Sequence, residues 1–388
     1  MIDISAVRAD TPACEQVIHF NNAGASLMPD PVFNAIRSHL ELEREIGGYE
    51  AENLVADKLE SFYSEFAALL GCQAQEIAFV ENATRAWDMA FYGLRLEEGD
   101  RVLTHGSEYV SNFLALLQRA ERRGFEIDVV PSDASGQIDV EAMEAMIGPR
   151  TRLIALTHVP TQGGLVNPAE AVGRVARKYD LIYMLDACQS VGQIDLDVNK
   201  IGCDILSGTG RKFLRGPRGT GFLYVATGIV DQIEPPFIDM RAANWTGNSS
   251  YELAAGARRF ENWESYVAGR VGLACAVRYT RDIGLGSIEK YVTQLAATLR
   301  DALSQVPGVT VQDLGRKKCG IVTFQKQGES ASKLAARLLE KGINVSVTDL
   351  YSARLDFTER GLDELLRASV HYFNTENEID RFVEAVKN

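Results

Sequence analysis

Four stretches of this chain place reactive side chains where an α/β fold would present them. The first runs from Leu206 to Gly221, Leu-Ser-Gly-Thr-Gly-Arg-Lys-Phe-Leu-Arg-Gly-Pro-Arg-Gly-Thr-Gly, and packs five glycines and four cations into sixteen residues after an apolar run. Such a turn can bring backbone amides and positive charge around a phosphate. It is not a GxxxxGK[ST] loop, and no GxGxxG pattern follows the first strand-like run. The second is Asp186, which ends the apolar run Leu181–Leu185 and precedes Ala187-Cys188-Gln189. A carboxylate inside such a core is costly unless it meets a cation or several donors. The third is Asn82-Ala83-Thr84, which follows Ile77–Val80 and opens a helical pattern, where free N–H groups and a hydroxyl suit an anion. The fourth is Arg367 in Leu365-Leu366-Arg367-Ala368-Ser369-Val370, whose fork among apolar neighbours needs an anionic partner such as a carboxylate. Taken singly, each has a plainer reading. Asn82, Thr84 and Asp186 read as helix caps, the basic turn as a turn without function, and Arg367 as half of a structural salt bridge. A strongly acidic chain that gathers four cations in one turn weighs against the second of these.

The elements that must position these residues alternate from about residue 77 onward. Strand-like runs at Ile77–Val80, Arg101–Thr104, Ile127–Val130, Leu153–His158, Ile182–Leu185, Ile205–Leu206 and Gly221–Val225 are interleaved with helical patterns at Asn82–Leu94, Asn112–Arg123, Val140–Ile147 and Ala169–Tyr179. Continuous apolar runs between helices predict a mostly parallel sheet covered on both faces, with ligands at the carboxyl ends of its strands. After about residue 256 the texture changes to long helical patterns at Tyr266–Ile283 and Ile288–Val306, strands at Val309–Gln312 and Gly320–Gln325, and a helix at Ala331–Lys341. The expected division is a large domain over 20–255 and a smaller α+β domain over 256–388, against which residues 1–19 pack.

Composition narrows the class of function. The chain has 388 residues, 46% apolar and 24% charged, which suits a folded protein of two or three domains. Its 40 Lys+Arg against 53 Asp+Glu give a net charge of −13, which argues against a nucleic-acid or anionic-membrane partner. The start of the chain does not read as an export signal, and no apolar run approaches the roughly 20 residues that span a bilayer. The six cysteines are scattered and form neither a CxxC pair nor a zinc spacing with the five histidines. They read as reduced thiols of a cytoplasmic protein, with no metal site expected.

Together these segments resemble the class V aminotransferase family of fold type I enzymes that use pyridoxal 5′-phosphate. That family includes cysteine desulfurases, selenocysteine lyases, kynureninases and isopenicillin N epimerase-like proteins. The resemblance extends from His19-Phe20-Asn21-Asn22-Ala23-Gly24 to the segment from Arg367 to Thr375. It is most specific at Asp186-Ala187-Cys188-Gln189 and Thr209-Gly210-Arg211-Lys212. It implies an α/β fold whose large domain holds a mostly parallel seven-stranded sheet, with a smaller α+β domain after it. By resemblance, Lys212 carries the cofactor as a Schiff base and, once released, shuttles the Cα proton. Asp186 pairs with the pyridine nitrogen, so that the ring can accept electrons from Cα. Ala83, Thr84, Thr209 and Arg211 match the phosphate cradle, with Arg211 standing where desulfurases place a histidine. Thr161 and Gln189 match positions near the ring's phenolic oxygen, and Tyr109 is the candidate aromatic stacked on the ring. Arg367 and Asn22 are carried over as substrate-binding residues, Arg367 for the α-carboxylate of an amino acid.

Two departures shape the expected reaction. Desulfurases attack the substrate sulfur with a cysteine on a loop upstream of the arginine, whereas Thr348-Asp349-Leu350-Tyr351-Ser352-Ala353-Arg354-Leu355-Asp356 has none. Cys319, the nearest in sequence, lies in a strand-like run and reads as a core thiol. Where the family often has Gly-Thr-Pro, this chain has Phe260-Glu261-Asn262-Trp263-Glu264-Ser265. The resemblance implies a homodimer with its active site at the subunit interface, and Arg241–Thr246 is a further candidate for a contact across it. The resulting expectation is a C–S lyase-like β-elimination on a cysteine-derived amino acid or its sulfoxide, similar to the sulfoxide lyases of thiol-histidine biosynthesis, and not a persulfide-forming desulfurase. The alternatives are transamination, or epimerisation with Tyr109 as a second proton donor, and, outside catalysis, a sensor or scaffold on the same fold.

Overall fold

The computed structural model describes residues 2–388. All seven apolar runs of the first half become strands of one sheet: β1 (Ile77–Val80), β2 (Arg101–His105), β3 (Glu126–Val130), β4 (Thr151–Thr157), β5 (Ile182–Asp186), β6 (Ile205–Thr209) and β7 (Gly221–Val225). Their order is β1-β7-β6-β5-β4-β2-β3, and only β7 runs antiparallel to its neighbours. The central strands are buried almost throughout because helices cover both faces, so they need no polar alternation. β3 is an edge strand, and its exposed Glu126 blunts that edge.

Register is what turns this sheet into a platform. Thr157 at the end of β4 pairs with Asp186 at the end of β5, and Asp186 pairs with Ser207 of β6. Thr209 of β6 and Val80 of β1 both pair with Gly221. The chain then leaves β1 through Asn82, whose side chain caps α3 (Ala83–Phe91) by accepting from the Arg85 amide at 2.9 Å. Gly221 makes that exit possible. A Cβ there would lie 2.7 Å from the Gly208 carbonyl oxygen and 2.9 Å from the Asn82 carbonyl carbon.

Two helices that the apolar pattern did not mark, α1 (Asp30–Ile46) and α2 (Ala56–Leu70), lie near the start of the chain, beside the expected α6 (Val267–Ile283). α6 packs on both α1 and α2. Phe62 and Phe66 of α2 meet Phe79 of β1 and Phe222 of β7, with Phe66–Phe222 ring centroids 4.3 Å apart. Two more helices, α4 (Val110–Arg123) and α5 (Ala169–Lys178), cover the sheet between strands.

A second sheet forms late in the chain from β8 (Val309–Val311), β9 (Ile321–Lys326), β10 (Ser346–Asp349) and β11 (Glu364–Ser369). It is antiparallel throughout in the order β8-β9-β11-β10. Helix α7 (Leu285–Ser304) and the helix Glu376–Lys387 bury Leu295, Leu299 and Phe382 against Val322, Phe324 and Leu366 of this sheet. The start of the chain joins this region. Ile18–His19 pairs in parallel with Ile343–Asn344, and Asn21 bridges to Ser369. Segment 348–356 is not an open loop: it is the end of β10, a turn, and the start of the helix Arg354–Arg360.

The tight crossing at Gly221 gives a direct prediction. Gly221→Ala should cost about 1–3 kcal/mol in urea unfolding, because the neighbours it meets are backbone atoms that cannot swing aside. An unchanged unfolding midpoint would show that β7 and Asn82 are not in forced contact.

Candidate active site

A cavity of about 180 Å³ lies at the carboxyl ends of β4, β5 and β6, beside the N-termini of α3 and α4. Its wall includes Ala83, Thr84, Tyr109, Thr161, Asp186, Gln189, Arg211 and Lys212, all singled out in the sequence. Asn82, Thr157, Val159 and Cys188 complete the lining.

Asp186 is buried, and the chain supplies donors on both its oxygens. Oδ1 accepts from the Cys188 backbone N–H at 2.8 Å, and Oδ2 from the Asn112 side-chain amide at 2.8 Å. The same Asn112 nitrogen donates to Glu108 Oε1 at 2.9 Å. That oxygen also takes the Tyr109 N–H at 2.8 Å and the Thr157 hydroxyl, while Oε2 takes the Thr104 hydroxyl at 3.2 Å. Burial pushes the Glu108 carboxyl up to about 7 in spite of these donors. Glu108, Asn112 and Thr157 escaped the sequence reading. Glu108 and Asn112 stand about one helical turn apart, and Thr157 is a polar residue near the end of the run Leu153–His158, which are signals that could have pointed to each residue.

Lys212 is buried at the cavity wall. Burial lowers its amine to about 8, with Arg211 and Arg367 lowering it further against the pull of Asp186. Cys188 shares the wall, and burial pushes its thiol well above the ordinary range. Two of the four cations in the basic turn reach this cavity. Arg211 donates to the Thr209 hydroxyl at 3.1 Å, and that hydroxyl donates to the Thr220 carbonyl at 3.2 Å. Arg215 turns the other way, to the Leu27 carbonyl at 2.8 Å and the Thr11 hydroxyl at 2.6 Å, with its guanidinium over the Phe373 ring. Arg218 is exposed.

Arg367 projects from β11, in the second sheet, and is buried without an ionic partner among the described residues. It donates to the Thr161 hydroxyl at 2.6 Å, the Thr161 carbonyl at 3.0 Å and the Ser346 hydroxyl at 3.1 Å, and its Nε has no partner. The structural salt bridge is therefore absent. Burial lowers this guanidinium to about 10, and the neighbouring Arg211 cation lowers it further. The Thr161 hydroxyl also accepts from Gln189 Nε2 at 3.4 Å, and Gln189 Oε1 is buried and unpartnered.

Other expected residues do not reach the cavity. Asn22 is fully buried, but its amide nitrogen donates to the carbonyls of Ser369 at 2.7 Å and His19 at 3.2 Å, and its oxygen accepts from Ser26 at 2.7 Å. Its side chain is occupied in tying the start of the chain to β11, so the substrate-binding assignment is corrected. Arg241 is likewise engaged within the chain, by Glu261 at 2.9 Å and the Tyr63 hydroxyl at 3.1 Å. Trp245 lies on the hairpin Ala243–Gly247/Ser250–Leu253 and is 82% exposed. Trp263 lines a second cavity of about 480 Å³ with Arg241, Glu261 and Arg270.

The free groups of the cavity suit one kind of ligand. No hydrogen bond among the described residues uses the N–H of Ala83 or Thr84 at the start of α3, where the helix dipole favours an anion. Arg211, Lys212 and Arg367 converge without a carboxylate paired to any of them. Orphaned donors and acceptors on Arg367 and Gln189, beside a buried amine and a buried carboxylate, fit pyridoxal 5′-phosphate with an amino-acid carboxylate next to it.

Comparison with known proteins agrees. Residues 18–382 match the family described as Aminotransferase class-V. The probable cysteine desulfurase of Methanothermobacter thermautotrophicus is 28% identical over 98% of this chain and 96% of its own length. That of Pyrococcus abyssi is 28% identical over 97% and 95%. Among solved structures, the apo cysteine desulfurase from Thermococcus onnurineus NA1 superposes with a TM-score of 0.93 at 28% identity, covering 100% of this chain and 98% of that one. A cystine C-S lyase at 22% identity, TM-score 0.88, shares the fold. These whole-length relatives overturn the expectation that the chain is not a persulfide-forming desulfurase. A cysteine in segment 348–356 would settle where sulfur is held, whereas the residues that make a substrate's Cα reactive lie elsewhere and are intact. The chain therefore belongs to the class-V aminotransferase family, and it is an enzyme that works with pyridoxal 5′-phosphate.

Proposed function

We propose that the enzyme removes the sulfur of cysteine and leaves alanine. The observation that carries the amino-acid part is Arg367, a buried cation with no acidic partner, held by the cavity residue Thr161 and close enough for its charge to act on the Lys212 amine. The sulfur part is supported by the whole-length relatives named as cysteine desulfurases. When bound, pyridoxal 5′-phosphate supplies a ring that accepts electrons from a bond broken at the substrate's Cα.

The chain's own residues do the rest. Ala83, Thr84, Thr209 and Arg211 bind the phosphate through amides, hydroxyls and a guanidinium. Asp186, clamped by Asn112 and the Cys188 amide, holds a proton at the ring nitrogen. Tyr109 covers a ring face, and Thr161 with Gln189 addresses the phenolic oxygen. Lys212 carries the cofactor and moves the proton at Cα, a task suited to an amine lowered to about 8. Arg367 grips the α-carboxylate, held in aim by Thr161 and Ser346.

The sulfur acceptor is a thiol from solution. Among the described residues Cys188 is the one cysteine that lines the cavity, and its raised thiol stays protonated at neutral pH. The new S–S bond forms on the acceptor as the C–S bond breaks, the C–S electrons go to Cβ, and Cβ takes a proton. Cysteine and a thiol then give alanine and the thiol's hydropersulfide, with no oxidant needed. The enzyme works as a homodimer with its site at the interface. Supporting that reading, Tyr49, Trp263 and Tyr266 line the larger cavity at 65%, 50% and 39% exposure, with Leu54 and Met240 also exposed. Six free thiols suit a reducing compartment, and we place the enzyme in the cytoplasm.

Cofactor-loaded enzyme given cysteine and dithiothreitol should release alanine and sulfide in equal amounts. Pyruvate and ammonia in place of alanine would contradict the proposal. Arg367→Ala should lower kcat/KM for cysteine about a hundredfold, chiefly through KM, because a buried carboxylate contact is lost. Steady-state kinetics that match the parent enzyme would assign the carboxylate to another residue.

A further inference from the structure

Glu108 is a buried carboxyl that no step above uses. It sits just before α4, between β2 and β4, and accepts from four groups on three elements: the Thr104 and Thr157 hydroxyls, the Tyr109 N–H and the Asn112 amide. So many donors on one side chain are more than a helix start needs. The informative one is Asn112, whose single NH₂ group spans two carboxylates, Glu108 Oε1 at 2.9 Å and Asp186 Oδ2 at 2.8 Å. With one hydrogen directed to each, the plane of the amide is fixed by Glu108 and the position of Asp186 is fixed by the amide. We propose that Glu108 is a positioning residue, which acts through Asn112 to set the orientation and charge environment of Asp186, the partner of the cofactor's ring nitrogen.

The electrostatic side of this follows from what faces Glu108. From β5 comes Asp186, the one charged group that acts on it appreciably. β4 and β2 present only hydroxyls, from Thr157 and Thr104, and His105 on β2 turns its ring to Ser107 and Ser132. Burial together with Asp186 raises Glu108 to about 7, so it gains its charge within the neutral range. Above that pH a second negative charge stands behind Asp186, and the proton affinity of groups opposite Asp186 rises. Below it, Glu108 is neutral and that support is withdrawn. The residue thus links solution pH to the site without touching substrate.

The inference rests on Asp186 pairing with the cofactor's ring nitrogen, as proposed above, and not on the sulfur chemistry. The test is a pH titration of the visible absorbance of the cofactor-loaded protein, with the melting temperature of the cofactor-free protein alongside. Glu108→Gln keeps the shape and removes the charge. Its absorbance midpoint should fall by about one pH unit, as expected for losing one buried charge nearby. Its cofactor-free melting temperature should stay within about 3 °C of the parent. In an Asn112→Leu background, the same Glu108→Gln change should move the midpoint by less than half as much, because the link is already cut. Should Glu108→Gln fail to fold, Thr157→Val provides the second route. It removes a donor to Glu108, keeps that carboxyl neutral to higher pH, and should lower the midpoint in the same direction. An unmoved midpoint overturns the proposal, as does an equal shift with and without Asn112. If the parent protein binds the cofactor with no pH-dependent band at all, the pairing of Asp186 with the ring nitrogen fails first, and the two failures are told apart.

Discussion

Burying a cation costs several kcal/mol unless an anion pairs with it, and this fold buries Arg367 and Lys212 near each other with neither in an ion pair among the described residues, Asp186 acting on Lys212 only from a distance. The protein does not relieve that cost internally. Arg367 receives only hydroxyls and a carbonyl, and its Nε is left over. Lys212 responds by giving up proton affinity. The site is therefore held in a state that binding of a phosphate and a carboxylate would relieve, and folding elsewhere must supply the stability that this corner lacks.

That supply comes from two sheets which must stay in register with each other. Asp186 ends β5 of the mostly parallel sheet and Lys212 lies in the turn after its β6, whereas Arg367 belongs to the antiparallel sheet. They meet because Thr161, beyond β4, bonds both Arg367 and Gln189, while Asn21, Asn22 and Ala23 hold the start of the chain on Ser369 and Gln189. Arg215 adds a third tie, from the basic turn to Leu27 and Thr11. Asn22 is thus important to the site as a seam between elements, and its side chain does not face the cavity.

The strands were legible in the sequence because a sheet covered on both faces needs unbroken apolar runs, and Asp186 and Thr84 were legible as polar residues where such runs end. Helices α1 and α2 were harder. α1 buries little beyond Val32, Ile36 and His39, so its apolar stripe is thin within a charged sequence. The hairpin of residues 243–253 has no buried face and hence no alternation to read. Glu108, Asn112 and Thr157 were hidden because their meeting depends on the pairing of Thr157 with Asp186 across two strands, which no local pattern encodes. Asn22 shows the complementary limit: a motif gives a position along the chain, and it does not give a side chain's direction. The absent cysteine of segment 348–356 misled for a different reason, since one missing acceptor was weighed above a cofactor site that is otherwise whole.

The claim on which everything else depends is that the cavity holds pyridoxal 5′-phosphate on Lys212. Borohydride reduction of the loaded protein, followed by mass spectrometry of its peptides, measures this directly. The account predicts a stable pyridoxyl-phosphate adduct on the peptide that contains Lys212, lost in Lys212→Ala. An adduct on another lysine, or none in a protein that retains the cofactor, would contradict it.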